Sequence, residues 1–166
     1  MAMVLDVLED AAYAASQGGQ PDIELIDEIM RYMTVYPDAV HHPKEDVIYR
    51  ELQSRRPDLA TDLEDVPADH RDIAALGTQL RNDLDAIVAG AAVKREQFVN
   101  DINGYVSRLR QHMRWEEDDL FVRIDKMMQQ DTPTIALQPQ WQIKDPVFQL
   151  EIESAFKNLI RSLRSS

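Results

Sequence analysis

The sequence predicts an all-α protein: an up-down-up-down four-helix bundle, then an extended segment and a C-terminal helix. Apolar residues recur at intervals of three and four through the first 130 residues, as they do along one face of an amphipathic helix. That region has no stretch with the period-two alternation typical of a strand. The joints between the helical stretches are short, and short joints place consecutive helices side by side in a bundle.

The first two helices are expected over residues 2–17 and 22–54. The segment "SQGGQPD" separates them, because glycine frees the backbone and Pro21 suits the start of a helix. Pro37 and Pro43 lie inside the second stretch, where each removes a backbone hydrogen-bond donor. We therefore expect a kink or a break near these prolines.

The third helix is expected over residues 67–92, after the partly coiled connection "SRRPDLATDLEDVP", and the fourth over residues 94–128. Beyond them, "QQDTPTIALQPQWQIKDP" is interrupted by prolines and is expected to be extended, whereas "PVFQLEIESAFKNLIRSLRSS" is expected to form a helix. The sequence thus predicts a bundle over residues 1–128 and an extension over residues 129–166. The helix of this extension would pack on the bundle or on a neighbouring chain.

Composition excludes several classes of function. Eighteen basic residues against thirty acidic ones give a formal charge of −12, which disfavours binding to nucleic acid. The chain has no cysteine, so any metal must be held by nitrogen and oxygen atoms. We expect no membrane span, because the apolar runs are far shorter than the roughly 20 residues required. The start of the chain lacks the basic region of a signal peptide, so we expect a cytoplasmic location.

The histidines are the residues that point to chemistry. Two of them, His41 and His112, are each followed four positions later by a glutamate, Glu45 and Glu116. Residues four apart share one face of a helix, so each pair can direct two ligand groups at one point. The remaining two, His42 and His70, lie on the predicted second and third helices.

The positions of these residues on their helices indicate burial. The stripes with the spacing of a core face are His41, Glu45, Ile48 and Leu52; His70, Ile73, Leu80, Leu84 and Ile87; and Leu109, His112, Glu116 and Leu120. Buried carboxylates without partners cost several kcal/mol each. A bound cation would neutralise them, so we interpret the set as metal ligands.

Three neighbouring residues leave alternatives open. His42 heads a more polar stripe with Asp46, so the stripes favour His41 as the ligand and make His42 a surface group or a support for a ligand. Glu117 could replace Glu116 after a small rotation of the helix, although a solvated face suits it better. Asp69 either orients an imidazole or is an exposed acid at a helix start.

The segments "YPDAVHHPKED" and "HMRWEEDDLF", together with the Asp69–His70 pair, resemble the hemerythrin-like, or HHE cation-binding, domain family. The resemblance implies a four-helix bundle that holds a non-haem di-iron centre. The family pattern has one histidine on the first helix, HxxxE on the second, one histidine on the third and HxxxE on the fourth. The positions that match this pattern are His41, Glu45, His70, His112 and Glu116, and the resemblance implies that both glutamates bridge the metals.

The chain departs from this pattern at its start, because residues 1–17 contain no histidine. The segment "MVLDVLEDAA" resembles the part of the first helix that follows the family's histidine. We therefore expect either that the assigned start lies downstream of the true one or that one ligand is lost and the iron site is incomplete. A short first helix would leave part of the core uncovered, which a homodimer could cover.

The resemblance implies several functions for such an iron site. These are binding dioxygen, sensing oxygen or nitric oxide, handling iron, or repair of oxidised iron centres. An apolar lining from residues such as Ile48, Ile73 and Leu120 would admit a small diatomic ligand and exclude larger ones. We therefore favour a binding or sensing protein over an enzyme. The alternative is a metal-free or partly metallated bundle that acts as a structural or interaction module.

Overall fold

A computed structural model describes residues 1–61, 63, 65–130 and 157–165 of the chain. The helices in this part are α1 (Ala2–Ser16), α2 (Ile23–Tyr36), α3 (His42–Arg55), α4 (Pro57–Ala60), α5 (Val66–Val88), α6 (Arg95–Trp115), α7 (Phe121–Gln130) and α8 (Lys157–Ser165). A first π-helical turn, Pro37–His41, joins α2 to α3, and a second, Glu116–Leu120, joins α6 to α7. The all-α prediction is confirmed, while the up-and-down order of the helices stays a prediction.

Local sequence signals determine where the long helices begin and end. Asp22 caps α2, where its carboxylate accepts a hydrogen bond from the backbone N–H of Leu25 at 3.0 Å. Asp65 caps α5 in the same way. After α1 and α5 the chain turns through Gly18 and Gly90, whose φ angles of 87° and 86° suit glycine because it has no Cβ.

The two long predicted helices are both interrupted by π-helical turns. The break expected near Pro37 is confirmed, because α2 ends at Tyr36 and the first π turn begins at Pro37. Pro43 causes no second break, since it lies in the first turn of α3, where its missing N–H costs nothing. The interruption of the fourth stretch at Glu116–Leu120 was not predicted. The third stretch ends at Val88, short of the expected boundary at residue 92.

The helices bury two apolar clusters. In the larger one α1 packs against α6, and α5 packs against both α2 and α6. The smaller one comprises Tyr49, Leu52, Val66, Leu120 and Met127. On α5, His70 lies between Val66 of the smaller cluster and Ile73 of the larger one. On α6, His112 lies between Leu109 of the larger cluster and Leu120, which belongs to the smaller cluster and to the second π turn. Both histidines thus lie where the two clusters meet.

Helix α8 packs against α1 and α2 of its own chain. Its attachment centres on Glu28 of α2, which accepts hydrogen bonds from the backbone N–H groups of Asn158 and Leu159 at 2.8 and 2.9 Å. Leu159 is fully buried. Most of the predicted extended segment, and the first part of the predicted C-terminal helix, lie outside the described residues. The division of the chain near residue 128 stays a prediction.

No helix in the described ranges is both long enough and apolar enough to cross a membrane.

Tyr105 gives the bundle a testable response to alkaline pH. Burial, and to a lesser degree the negative charge of Asp38, raise the pKa of its phenol above the ordinary value. A raised pKa means that this group stabilises the fold below the unfolded-state pKa of about 10 and loses that contribution as pH rises further. We expect Tyr105→Phe to remove up to about 1.4 kcal/mol per pH unit from the alkaline decline in the free energy of unfolding. Denaturant titrations between pH 9 and about pH 12 measure this slope.

The matched control is Tyr13→Phe, since the side chain of Tyr13 is 67% exposed. The control should keep the wild-type slope. An unchanged slope in Tyr105→Phe would contradict the view that the raised pKa of Tyr105 contributes to the alkaline decline.

Candidate metal centre

Helices α3, α5 and α6 bring three histidine rings together in the interior. The rings of His42 and His70 stack at 4.2 Å between centroids, with 7° between their planes. The ring of His112 meets that of His70 edge-on at 4.8 Å and that of His42 edge-on at 5.8 Å. Glu45 completes the group. One ligand atom from each of these four residues lies within 4.8 Å of the others, which is close enough for one metal ion to contact all four.

Hydrogen bonds fix which ring nitrogen faces the centre. His70 Nδ1 lies 2.8 Å from Asp46 Oδ1, and His112 Nδ1 lies 2.6 Å from Asp69 Oδ2. An ionised carboxylate only accepts hydrogen bonds, so each Nδ1 carries a proton and donates it. In the neutral imidazole the Nε2 atom then keeps its lone pair, and these two Nε2 atoms lie 3.1 Å apart. Metal-binding histidines in proteins are held by this same kind of outer carboxylate.

Glu116, the first residue of the second π turn, contributes a second carboxylate to the centre. Its Oε1 lies 3.1 Å from His112 Nε2 and 3.7 Å from His70 Nε2. Burial raises the pKa of this carboxyl group, but the neighbouring imidazoles of His112 and His70 outweigh burial and lower the pKa to about 2. Glu116 is therefore negatively charged at neutral pH.

Several buried polar atoms at the centre have no hydrogen-bond partner among the described residues, and a metal ion would satisfy them. They are both ring nitrogens of His42, Oε2 of Glu45 and Oε1 of Glu116. His42 Nδ1 lies 3.3 Å from Asp38 Oδ1, but this contact lacks the geometry of a hydrogen bond. An unsatisfied buried polar atom costs about 1–3 kcal/mol, and more when it is charged. Imidazole nitrogens with carboxylate oxygens suit iron, manganese or zinc, so the residues present fit a metal ion.

The four predicted ligands Glu45, His70, His112 and Glu116 come together, but His41 and His42 differ from the expectation. His42 is 3% exposed, so the expectation that it is a surface group is wrong. The side chain of His41 is 40% exposed, and its Nε2 lies 3.0 Å from Glu45 Oε1. This bond to Glu45 is the main cause that raises the pKa of His41, and burial opposes it. Whether His41 binds metal stays a prediction.

The first π turn explains why His42 is buried. A π turn spaces its hydrogen bonds one residue further apart than an α-helix and so rotates the residues that follow it. After this turn, the buried face of α3 consists of His42, Glu45, Tyr49 and Leu52 rather than the predicted stripe. Ile48 and His41, which belong to the predicted stripe, are only partly buried.

The family assignment agrees with this geometry. A model of the hemerythrin HHE cation-binding domain matches residues 2–124, which is most of the chain. The chain belongs to this family. Neither a curated protein nor a solved structure matches it.

One side of this HHE domain's centre opens to a cavity of about 330 Å³, which we call the aromatic cavity. Its apolar walls are formed by Met1, Tyr32, Tyr36, Leu109, Met113 and Phe121. The expected lining residues Ile48, Ile73 and Leu120 do not line this cavity. His41, His42, His112 and Glu116 reach it from the centre, so the cavity connects the candidate ligands with a largely apolar space.

The remaining site predictions have different outcomes. Glu117 is exposed and lines the aromatic cavity, in agreement with the solvated position expected for it. Asp69 is 6% exposed, so the interpretation as an exposed acid is wrong. It orients an imidazole, but that imidazole is His112 on α6 rather than the adjacent His70. This contact joins two helices, and neither spacing nor charge along the chain signals it.

Asp69 should therefore matter for metal binding although it does not face the centre. Replacing it with asparagine leaves an amide that can donate as well as accept, so the ring of His112 loses its fixed tautomer. We expect Asp69→Asn to weaken zinc binding about 10–100-fold, the usual cost of losing such a partner. Competition with a chromophoric chelator measures the affinity.

The matched control is Asp72→Asn, since Asp72 is exposed on the same helix. Equal zinc affinities for the two variants would contradict the role of Asp69.

Proposed function

We propose that this HHE domain holds non-haem iron at the buried cluster and uses it to bind or sense a diatomic gas such as dioxygen or nitric oxide. The main support is the convergence of the His70 and His112 Nε2 atoms, 3.1 Å apart, beside unsatisfied carboxylate oxygens. Non-haem iron supplies an open coordination position at which such a gas binds. The aromatic cavity supports a route for the gas to that position.

The ligands can be divided between two iron positions. The first position would use His42, Glu45, His70 and His112, the four residues whose ligand atoms lie within 4.8 Å of one another. Glu116 would complete it or bridge to a second iron. The second position would use His41, Glu45 Oε1 and Glu116, and of these His41 and Glu116 line the aromatic cavity. It would have fewer protein ligands than the first, so we expect the first iron to bind more tightly.

The size and lining of the aromatic cavity favour a small ligand. A volume of about 330 Å³ lies at the low end of ligand pockets, and buried apolar side chains such as Tyr32 and Leu109 form part of its walls. Binding or sensing therefore suits this site better than turnover of an organic substrate. Iron handling would use the same ligands but would not require a gas to bind.

A gas titration tests this proposal. The protein is loaded with Fe(II) without oxygen and titrated with nitric oxide, and its visible and electron paramagnetic resonance spectra are recorded. We expect a spectral change that saturates near one nitric oxide per iron, and no change in protein loaded with Zn(II).

Iron that is bound but unresponsive to nitric oxide and dioxygen would overturn gas binding and favour iron handling. A folded protein that retains no metal would favour the structural module instead.

The homodimer and the cytoplasmic location stay predictions. Light scattering tests the first, and a monomer would contradict it.

A further inference from the structure

A chain of side chains connects the surface of α6 with the metal centre. Arg108 pairs through Nη2 with Asp69 Oδ1, and Asp69 Oδ2 accepts the hydrogen bond of His112 Nδ1 at 2.6 Å. The side chain of Arg108 is 31% exposed, whereas Asp69 is 6% exposed. Each oxygen of Asp69 thus has one partner, and the arginine offsets its buried negative charge.

In the described part of the chain, the carboxylates behind the other two histidines lack such a close cation. Asp46, behind His70, has Arg50 at 3.7 Å, and the Arg50 side chain is 62% exposed. Asp38, behind His42, lies 3.3 Å from His42 Nδ1, and its Oδ1 makes no hydrogen bond with any residue that the structure describes. An exposed pair is screened by water and salt, while a pair with one buried partner is screened much less. Of these three imidazoles, His112 is therefore the one whose partner carboxylate, Asp69, has its negative charge closely offset by an arginine.

We propose that Arg108 is a positioning residue that sets the charge reaching the centre through His112, and hence the preference of the site for Fe(II) over Fe(III). This inference rests on the proposed iron centre. A carboxylate without its cation makes the imidazole a stronger donor and adds negative charge near the metal. Both effects favour the more highly charged ion. Arg108 offsets this charge, so it favours Fe(II).

Measuring the midpoint potential of the iron-loaded protein tests the role of Arg108. For Arg108→Gln we expect the ratio of Fe(III) to Fe(II) affinity to rise about tenfold, which lowers the potential by about 59 mV. Arg108→Lys keeps the charge and should restore most of the wild-type potential. The matched control is Arg110→Gln on the same helix, since Arg110 pairs with Asp6 and Glu9 of α1 and should leave the potential unchanged.

Asp69→Asn provides a second test, because it should shift the midpoint potential in the opposite direction. This test does not depend on whether Arg108→Gln folds. It removes the negative charge and keeps the cation, so the potential should rise. In that background, Arg108→Gln should shift the potential much less than it does in the wild type, because the two residues act through one pair. A role in packing alone would change stability but not potential.

The inference is overturned if Arg108→Gln leaves the potential unchanged, if Arg108→Lys behaves like Arg108→Gln, or if Asp69→Asn lowers the potential. These outcomes would leave the proposed iron centre in place. A folded wild type that retains no iron would overturn that proposal, and this inference with it.

Discussion

Replacing His112 with alanine is expected to weaken metal binding by more than about 100-fold, beyond the range typical of a residue that only supports a ligand. His112 Nε2 lies 3.1 Å from both His70 Nε2 and Glu116 Oε1, so it contacts more of the cluster than a peripheral ligand would. Its loss also leaves Asp69 without its imidazole partner. Zinc affinity, measured by chelator competition, gives the effect directly and needs no redox chemistry.

The control for this variant is Gln111→Ala, because Gln111 is exposed at the adjacent position of α6. It should bind zinc like the wild type, and circular dichroism should show both variants helical. Wild-type zinc affinity in a folded His112→Ala protein would exclude His112 as a ligand.

The second large effect is a loss of metal affinity that we expect when His42 is replaced, but not when the adjacent His41 is replaced. We expect His42→Ala to weaken binding of the first metal ion by more than about 100-fold, because His42 is a buried imidazole with no hydrogen-bond partner in the described ranges. His41→Ala should change that affinity by less than about tenfold, because His41 is engaged with Glu45 and partly exposed. If His41→Ala binds metal more weakly, the loss of affinity should affect the second metal ion rather than the first. Isothermal titration with Zn(II) reports both affinity and stoichiometry.

Each variant serves as the control for the other, since both remove an imidazole from adjacent positions. If His41→Ala abolished binding of the first ion while His42→Ala retained it, the assignment from the sequence stripes would be restored.

Much of the helical architecture could be predicted from the sequence because it follows from local signals. The three- and four-residue apolar spacing identified the long helices, and Pro37 marked the end of α2. The second π turn has no such signal. The segment "EEDDL" contains neither proline nor glycine, so nothing in it distinguishes a π turn from continuous α-helix.

The ambiguity between His41 and His42 has a definite physical source. The predicted stripe and the observed one share Glu45 and Leu52, and both have spacings of three and four residues. They differ only in whether the other members are His41 and Ile48 or His42 and Tyr49. Hydrophobicity does not decide between them, because isoleucine and tyrosine both suit a partly buried position. The rotation imposed by the first π turn decides it, and that rotation is not encoded in the spacing.

The carboxylates behind the histidines could not be assigned from the sequence either. Asp46 and Asp69 reach histidines on other helices, so their partners depend on how α3, α5 and α6 pack. Asp38 lies in the first π turn and approaches His42 on the next helix. Local reasoning placed Asp46 on a polar stripe, offered two roles for Asp69 and assigned none to Asp38.

We propose that the buried imidazoles and glutamates of α3, α5 and α6, with the turn that follows α6, converge because a metal ion compensates their charge. The most direct test is the iron content of the wild-type chain after anaerobic loading with Fe(II) and removal of unbound metal. We expect at least one iron per folded chain, and none retained by a variant lacking both His70 and His112. A folded wild-type chain that retained no iron would contradict this proposal. So would a variant lacking both His70 and His112 that retained as much iron as the wild type.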